Sequence, residues 1–138
     1  MKLNRLKVCK EVDQRLIQLK ARTGLNPNLL CRIGFCLSLN DPAVPNPAAY
    51  PPDSDREINR YTLLGEWDDY FVALLRERCS HDNLDVDTEM EEQFRAHVNR
   101  GVLLAYTRIR SLGDLARLAR ESNPELFRQK ESVPHGQG

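Results

Sequence analysis

The chain has 138 residues, close to the commonest size of one domain, and its 41% hydrophobic and 29% charged residues are typical of a globular protein. No apolar run approaches the roughly 20 residues of a membrane-spanning helix. The N-terminus also lacks the uninterrupted apolar stretch of a secretory signal. We therefore predict a cytoplasmic protein with no membrane contact. The four cysteines form no Cys-x-x-Cys pair, which predicts reduced and mostly buried thiols.

The formal net charge is zero, but the charges are unevenly distributed along the chain. Residues 1–40 hold eight basic and two acidic side chains, residues 41–100 hold six and fourteen, and residues 101–138 hold six and four. A polyanion would be attracted to the N-terminal part only, where Lys and Arg can neutralise phosphates and release counterions. The alternative is that these charges only keep a helix pair solvated. The predicted DNA-binding residues are Lys2, Arg5, Lys7, Lys10, Lys20, Arg22 and Arg32.

The first part of the chain predicts a short strand followed by a helix. Residues 5–9 alternate in polarity, which indicates a strand that buries Leu6 and Val8. An apolar stripe predicts a helix over about residues 10–23. Gly24 can adopt the left-handed conformation that ends such a helix.

A second helix is predicted to begin after Asn26, a good N-cap, with Pro27 in its first turn. Its apolar residues lie on both sides of the helix. The predicted main stripe is Leu29, Leu30, Ile33, Cys36 and Leu37, and the opposite side holds Phe35 and Leu39. A helix that is apolar nearly all round is buried on both sides, so its second side suits a contact with another copy of the chain.

Five prolines in residues 41–53 predict a stiff, extended connector. Beyond it, an amphipathic pattern predicts a third helix over about residues 63–78, capped by Thr62. This helix is expected to be the main core element, with Trp67 and Tyr70 on its apolar face.

Two further helices are predicted after a polar loop. The fourth helix is expected to be capped by Asp87 or Thr88 and is followed by a short fifth helix over about residues 112–121. The fold class is therefore all-α: a compact, oligomeric helical domain of about five helices, with a possible short N-terminal strand.

We expect residues 1–121 to form a single domain. Within it, residues 1–40 are a basic strand-helix-helix unit, residues 41–60 a proline-rich connector and residues 61–121 a helical core. Residues 122–138 are predicted to be a C-terminal tail that is partly disordered.

No pattern indicates an enzyme. Cys79 and His81 could supply two metal ligands, but no second pair has matching spacing, so we predict no metal and no cofactor. Asp68 and Asp69 are adjacent on a helix and do not face each other, which favours a solvated acidic surface. His97, at the edge of a buried stripe, is typical of a semi-buried structural side chain rather than of a catalytic base.

The order strand, helix, Thr-Gly turn, helix is similar to ribbon-helix-helix proteins. That resemblance implies two N-terminal strands that pair across a dimer and lie in the DNA major groove. It implies that Arg5, Lys7 and Cys9 point outward.

A second resemblance covers more of the chain. The segments KEVDQRLIQLKARTGLNPNLLCRIGFCLSL and REINRYTLLGEWDDYFVALL look like the DndE family of bacterial DNA phosphorothioation systems. The resemblance implies a complex that replaces a non-bridging phosphate oxygen of DNA by sulphur, with the chemistry carried by cysteine desulfurase, iron–sulphur and ATPase partners. It implies that this chain is a non-catalytic homo-oligomer, a tetramer, that binds duplex DNA and prefers nicked DNA.

Two alternatives stay open beside that expectation. A ribbon-helix-helix repressor would be a dimer with a preferred operator sequence. A scaffold subunit of the modification complex would bind partner proteins through its acidic middle and would have no affinity for DNA.

Overall fold

The structure, a computed structural model, describes residues 1–122 and residue 125, so almost all of the predicted tail, residues 122–138, lies outside the described residues. The described strands and α-helices are β1 (Arg5–Lys7), α1 (Lys10–Thr23), α2 (Pro27–Asn40), β2 (Glu57–Asn59), α3 (Arg60–Leu64), α4 (Asp68–His81), α5 (Met90–Arg108) and α6 (Leu112–Ser122). Apart from the small sheet the described fold is all-α, as predicted. Within this part of the chain, no helix is long and apolar enough to cross a membrane.

The central helix of the fold is α5, not the predicted third helix. Eleven residues of α5 are buried, and α2 packs against it. The two helices approach closely because each has a glycine at the crossing. A Cβ atom on Gly34 would lie 2.7 Å from the carbonyl carbon of Gly101, and one on Gly101 would lie 2.8 Å from the Gly34 Cα. Neither position has room for a side chain, so this pair of glycines sets the distance between α2 and α5.

The first two helices form where the sequence predicts them. Gly24 ends α1 with φ of 75°, in the left-handed region, and its backbone N–H donates to the carbonyl of Lys20. The Asn26 side chain accepts a hydrogen bond from the backbone N–H of Leu29 at 2.9 Å, and Pro27 occupies the first turn of α2. Local sequence signals are therefore sufficient for both boundaries.

The buried side of α2 differs from the predicted one. Helix α2 buries Leu30, Cys31, Gly34, Phe35 and Ser38. Of the predicted stripe, Leu29 and Cys36 are exposed, and Ile33 and Leu37 are only partly buried. A helix with apolar residues nearly all round does not specify by periodicity which side faces inward. The close approach at Gly34 decides it.

The first strand pairs within the chain. β1 is antiparallel to β2, with Leu6 opposite Ile58. Leu6 and Val8 are buried, as predicted, but Cys9 is buried too, which corrects the expectation that it faces outward. The strand ends before Cys9, whose backbone N–H donates to the Oδ1 atom of Asn99 at 3.0 Å. A ribbon-helix-helix strand pairs with a second chain, whereas β1 has its partner in β2.

The predicted third helix is broken into α3, a short 3-10 turn and α4. Gly65, with φ of 55° and ψ of −135°, ends α3 in a conformation that side chains disfavour. Asn59, not Thr62, caps α3 by accepting from two backbone N–H groups of its first turn. Trp67 and Tyr70, predicted on the apolar face, are 53% and 59% exposed. The break removes the continuous helical face that their spacing implied.

The fourth and fifth predicted helices correspond to α5 and α6. The N-cap of α5 is Glu89 rather than Asp87 or Thr88, and the Glu89 side chain makes no capping hydrogen bond. Leu115 and Leu118 of α6 pack against the edge of the core. They line an apolar groove of about 310 Å³ together with the outer side of α2.

The proline-rich connector is held against α4 and α5 by arginine side chains. Arg95 donates to the carbonyl of Pro47 at 3.1 Å. Arg78 and Arg100 both donate to the carbonyl of Ala43, at 2.9 and 2.6 Å. These arginines therefore link the connector to the two helices through its backbone carbonyls.

Candidate nucleic-acid interface

The fold places acidic side chains beside several of the predicted DNA-binding residues. Arg5 Nη1 lies 3.3 Å from Glu57 Oε2 on the neighbouring strand, and the register sets Lys7 opposite the same glutamate. The backbone N–H of Lys2 donates to Glu91 Oε1 at 3.0 Å. The separation of charge along the sequence is therefore reduced on this part of the surface.

The remaining predicted residues do not form one patch. The Lys10 side chain is exposed, and its backbone N–H donates to Asp53 Oδ1 at 2.9 Å. Lys20 is exposed on α1. Arg32 is partly buried, and its Nε atom donates to the carbonyl of Leu63. Arg32 thus links α2 to α3 and presents less of its charge to solvent than the other six residues.

A different group of cations converges where α1 meets the end of α5. Arg15 and Arg22 are two turns apart and share one edge of α1. Their guanidinium carbons lie 4.3 and 4.4 Å from the centroid of the Tyr106 ring. Arg22 Nη2 also donates to the Tyr106 hydroxyl at 3.1 Å. Arg110 lines a surface concavity together with Arg22 and Tyr106. We call Arg15, Arg22, Tyr106 and Arg110 the arginine–tyrosine cluster.

The arginine–tyrosine cluster has few acidic neighbours. Among the described residues, no carboxylate forms an ion pair with Arg22 or Arg110. Arg15 lies 3.9 Å from Glu11, and such exposed pairs contribute little. The cation–π contacts order the guanidinium groups without using all their N–H donors. The cluster can therefore bind an anion such as phosphate.

Sequence reasoning found only Arg22 of this cluster. The seven-residue spacing of Arg15 and Arg22 is visible in the sequence and could have paired them on one edge of α1. Lys20, by contrast, lies about 200° around the helix from Arg22. Tyr106 and Arg110 are more than 80 residues away along the chain, so only the packing of α5 against α1 reveals them.

His97 does not have the setting of a catalytic base. The side chain is fully buried, beyond the predicted semi-buried state, and its Nδ1 atom lies 2.8 Å from Ser38 Oγ. Because Arg100 Nε donates to Ser38 Oγ, the serine proton is free to point at Nδ1, which favours the neutral ring. Burial, with Arg100 and Arg78 nearby, lowers the pKa of His97 to about 4.

The cysteines and the paired carboxylates also lack reactive settings. All four cysteines are free and three are buried, which confirms the prediction of reduced, mostly buried thiols. Burial raises the pKa of Cys31 to about 12, so its thiol is protonated and inert at neutral pH. Asp68 is bound by Arg60 at 2.8 Å, whereas Asp69 is exposed. In the described part of the chain, no group of three or more His, Cys, Asp or Glu side chains could hold a metal ion.

Comparison with known proteins gives a family and a fold. The family model of DndE, described as DNA sulphur modification protein DndE, matches residues 5–111. The crystal structure of DndE from Escherichia coli B7A, involved in DNA phosphorothioation modification, is similar with a TM-score of 0.62 and 24% identity, over 75% of this chain and 97% of that one. The crystal structure of a DndE mutant involved in DNA phosphorothioation is similar with a TM-score of 0.57 and 20% identity, over 76% and 98% of the two chains. No curated protein matches the chain.

Proposed function

We propose that the chain, which belongs to the DndE family of DNA sulphur modification proteins, is a DNA-binding accessory protein of a DNA phosphorothioation system. It contacts the backbone of duplex DNA, prefers nicked duplexes and catalyses no step itself. Other sulphur-modification proteins supply the chemistry. It acts in the cytoplasm as a homo-oligomer, which we propose to be a tetramer.

The observation that carries the DNA-binding proposal is the arginine–tyrosine cluster. Three guanidinium groups lie around one tyrosine, and two of them have no carboxylate paired with them among the described residues. Guanidinium binds phosphate in a bidentate manner and keeps its charge at all physiological pH values. This geometry supports contacts with DNA phosphate groups rather than with base edges.

The other exposed cations take secondary roles in this proposal. The secondary phosphate contacts are Lys2, Arg5, Lys7, Lys10 and Lys20, all of which are exposed. Because Arg5 and Lys7 share Glu57 as a neighbour, each should contribute less than a residue of the cluster. We expect substitution of Arg32 to act through the packing of α2 on α3.

Two features support the oligomer. The outer side of α2 lines the apolar groove between α4 and α6, which holds Phe71, Leu115 and Leu118. Ile17, on the outer face of α1, is 56% exposed. Burial of such surfaces against further copies would be favourable by roughly 25 cal/mol per Å². An oligomer would also repeat the cluster, so that several weak phosphate contacts act together.

A scaffold role is a second candidate, favoured by exposed aromatic side chains. Tyr61, Trp67 and Tyr70 are each more than half exposed at the α3–α4 corner. Glu66 and Asp69 add negative charge to this corner. Trp and Tyr are enriched where proteins bind each other tightly, so the corner suits a protein partner rather than DNA. The fold does not favour a ribbon-helix-helix repressor, because β1 pairs with β2 of the same chain instead of with a strand of a second chain.

Fluorescence anisotropy titrations with intact, nicked and sequence-randomised duplexes, at two salt concentrations, test the proposal. We expect nicked DNA to bind most tightly, with little dependence on sequence. Arg22→Ala and Arg110→Ala should each reduce the salt slope by about one unit, since each removes one phosphate contact. Lys20→Ala, which removes one charge from the opposite edge of α1, should reduce it less. The mass of the oligomer is measured alongside.

The scaffold candidate makes the opposite prediction. If the chain is a scaffold, it should have no affinity for DNA at physiological salt, and Trp67→Ala should abolish binding to a protein partner. If removal of all the secondary cations together with Arg22 and Arg110 changes neither the affinity nor the salt slope, the DNA-binding proposal is wrong.

A further inference from the structure

A notch in the arginine–tyrosine cluster differs in shape from the rest of the basic surface. It has a volume of about 360 Å³ and is lined by Arg22, Tyr106, Thr107 and Arg110. The other exposed cations stand on strand and helix surfaces, several of them beside carboxylates. A concave site with convergent donors suits one compact anion, whereas a flat row of cations suits a continuous phosphate backbone.

The donors of the notch can be assigned. Arg22 uses one N–H on the Tyr106 hydroxyl oxygen, so the hydroxyl proton is free to point into the notch. Arg110 binds Asp114 through its backbone N–H at 2.8 Å, which leaves its guanidinium group available. Thr107 donates to the carbonyl of Leu104 at 2.8 Å and acts as a wall. Two guanidinium groups and one phenol hydroxyl therefore face one site.

The backbone around the notch does not itself favour an anion. Arg22 lies in the last turn of α1, and Tyr106 lies in the last turn of α5. Helix C-termini carry negative partial charge, so these ends oppose anion binding. The attraction must come from the two arginine side chains. Loss of either one should therefore have a large effect on a bound anion.

We propose that this notch binds the terminal phosphate monoester at a nick in duplex DNA. A phosphate monoester carries about −1.5 to −2 charges near neutral pH and offers three terminal oxygens. A phosphodiester of the intact backbone carries a single charge and has only two non-bridging oxygens. Two guanidinium groups and a hydroxyl match the monoester better than they match the diester. This inference rests on the proposed nick preference and supplies a chemical basis for it.

The test uses duplexes of one sequence that differ only at the nick. One is intact, one carries a 5′-phosphate at the nick, one a 5′-hydroxyl and one a 3′-phosphate. Affinities are measured by anisotropy at constant ionic strength for the full chain and its variants. We expect a terminal phosphate to improve binding about tenfold, a typical gain for charge-assisted hydrogen bonds. Arg110→Ala and Tyr106→Phe should remove most of that gain.

A matched control distinguishes the notch from general attraction to DNA. Lys20→Ala should weaken binding to all four duplexes by the same factor. Tyr106→Phe keeps the ring under both arginines, so it tests the hydroxyl together with the hydrogen bond that the hydroxyl accepts from Arg22. Circular dichroism checks that each variant is folded.

The failures of the two proposals are distinguishable. If both phosphorylated and hydroxyl nicks bind equally, and more tightly than intact DNA, the nick preference stands and the notch assignment is wrong. Equal affinity for all four duplexes refutes both. A free nucleoside monophosphate is added as a competitor at constant ionic strength. If it occupies the notch without being displaced by nicked DNA, the site belongs to a small nucleotide instead.

Discussion

Acidification should destabilise the fold through His97. Its ring on α5 packs against α2, where Ser38 is its polar neighbour and where its Nε2 atom has no hydrogen-bond partner among the described residues. Arg100 and Arg78 oppose a positive charge on the ring, and the carboxylates of Asp82 and Asp41 only partly offset them. The folded protein therefore keeps His97 neutral to a lower pH than the unfolded chain does.

The size of the effect follows from the two pKa values. The pKa of His97 is about 4 in the folded state and 6.5 as the ordinary value. The unfolded state binds the proton more tightly than the folded state does. The contribution of neutral His97 to the free energy of unfolding is therefore fully present above pH 6.5 and is lost as the pH decreases toward 4. Between about pH 7.5 and pH 5 the expected loss is about 2 kcal/mol from this residue alone, and below pH 4 it reaches about 3 kcal/mol.

Urea unfolding at a series of pH values measures this loss. The protein concentration is held constant, because an oligomer gains stability by mass action. His97→Gln should be less stable near neutral pH but should lose about 2 kcal/mol less on acidification to about pH 5. His81→Gln is the matched control for the loss of a histidine, since the His81 side chain at the end of α4 is 78% exposed. An NMR titration that finds the His97 ring protonating near its ordinary pKa would refute the reasoning.

Three further predictions concern packing, capping and thiol reactivity. Gly101→Ala should lower the free energy of unfolding by about 3 kcal/mol or prevent folding, because its Cβ would overlap the α2 backbone. The control, Gly113→Ala at an exposed position, should leave the thermal unfolding midpoint nearly unchanged. Asn26→Ala should cost about 1 kcal/mol by removing the α2 cap, and an unchanged unfolding midpoint would contradict this. In native protein a maleimide should leave buried Cys31 unlabelled and should label it once urea unfolds the chain; labelling of Cys31 in the native protein, detected by mass spectrometry, would argue against the buried thiol.

The exposed corner between α3 and α4 shows where helical periodicity misleads. Residues 63–78 have the spacing of one long amphipathic helix, but Gly65 interrupts it. Trp67 and Tyr70 consequently lie on the surface instead of in the core. A glycine within an apolar pattern is compatible with both a continuous helix and a break, so the pattern does not decide between them.

The candidate site was only partly predictable from the sequence. Clustering of basic residues in the first forty positions singled out Arg22, one of the four residues of the arginine–tyrosine cluster. It did not show that Glu57 and Glu91 come to lie beside Arg5 and Lys2 in the folded chain. Charge counted along the chain ignores neighbours that are distant in sequence, and electrostatic attraction depends on neighbours in space.

By itself the sequence determined the all-α class, the boundaries of α1 and α2 and the resemblance to DndE. Those features depend on signals within a few residues, such as the Gly24 terminus and the Asn26 cap, or on extended segments of similar residues. Only the tertiary structure decided which side of α2 is buried and which cations converge. The close contact of α2 with α5 at Gly34 fixes the first. The packing of α5 against α1 determines which cations converge, because it brings Tyr106 and Arg110 next to Arg22. No local sequence pattern encodes a contact between residues more than 80 positions apart.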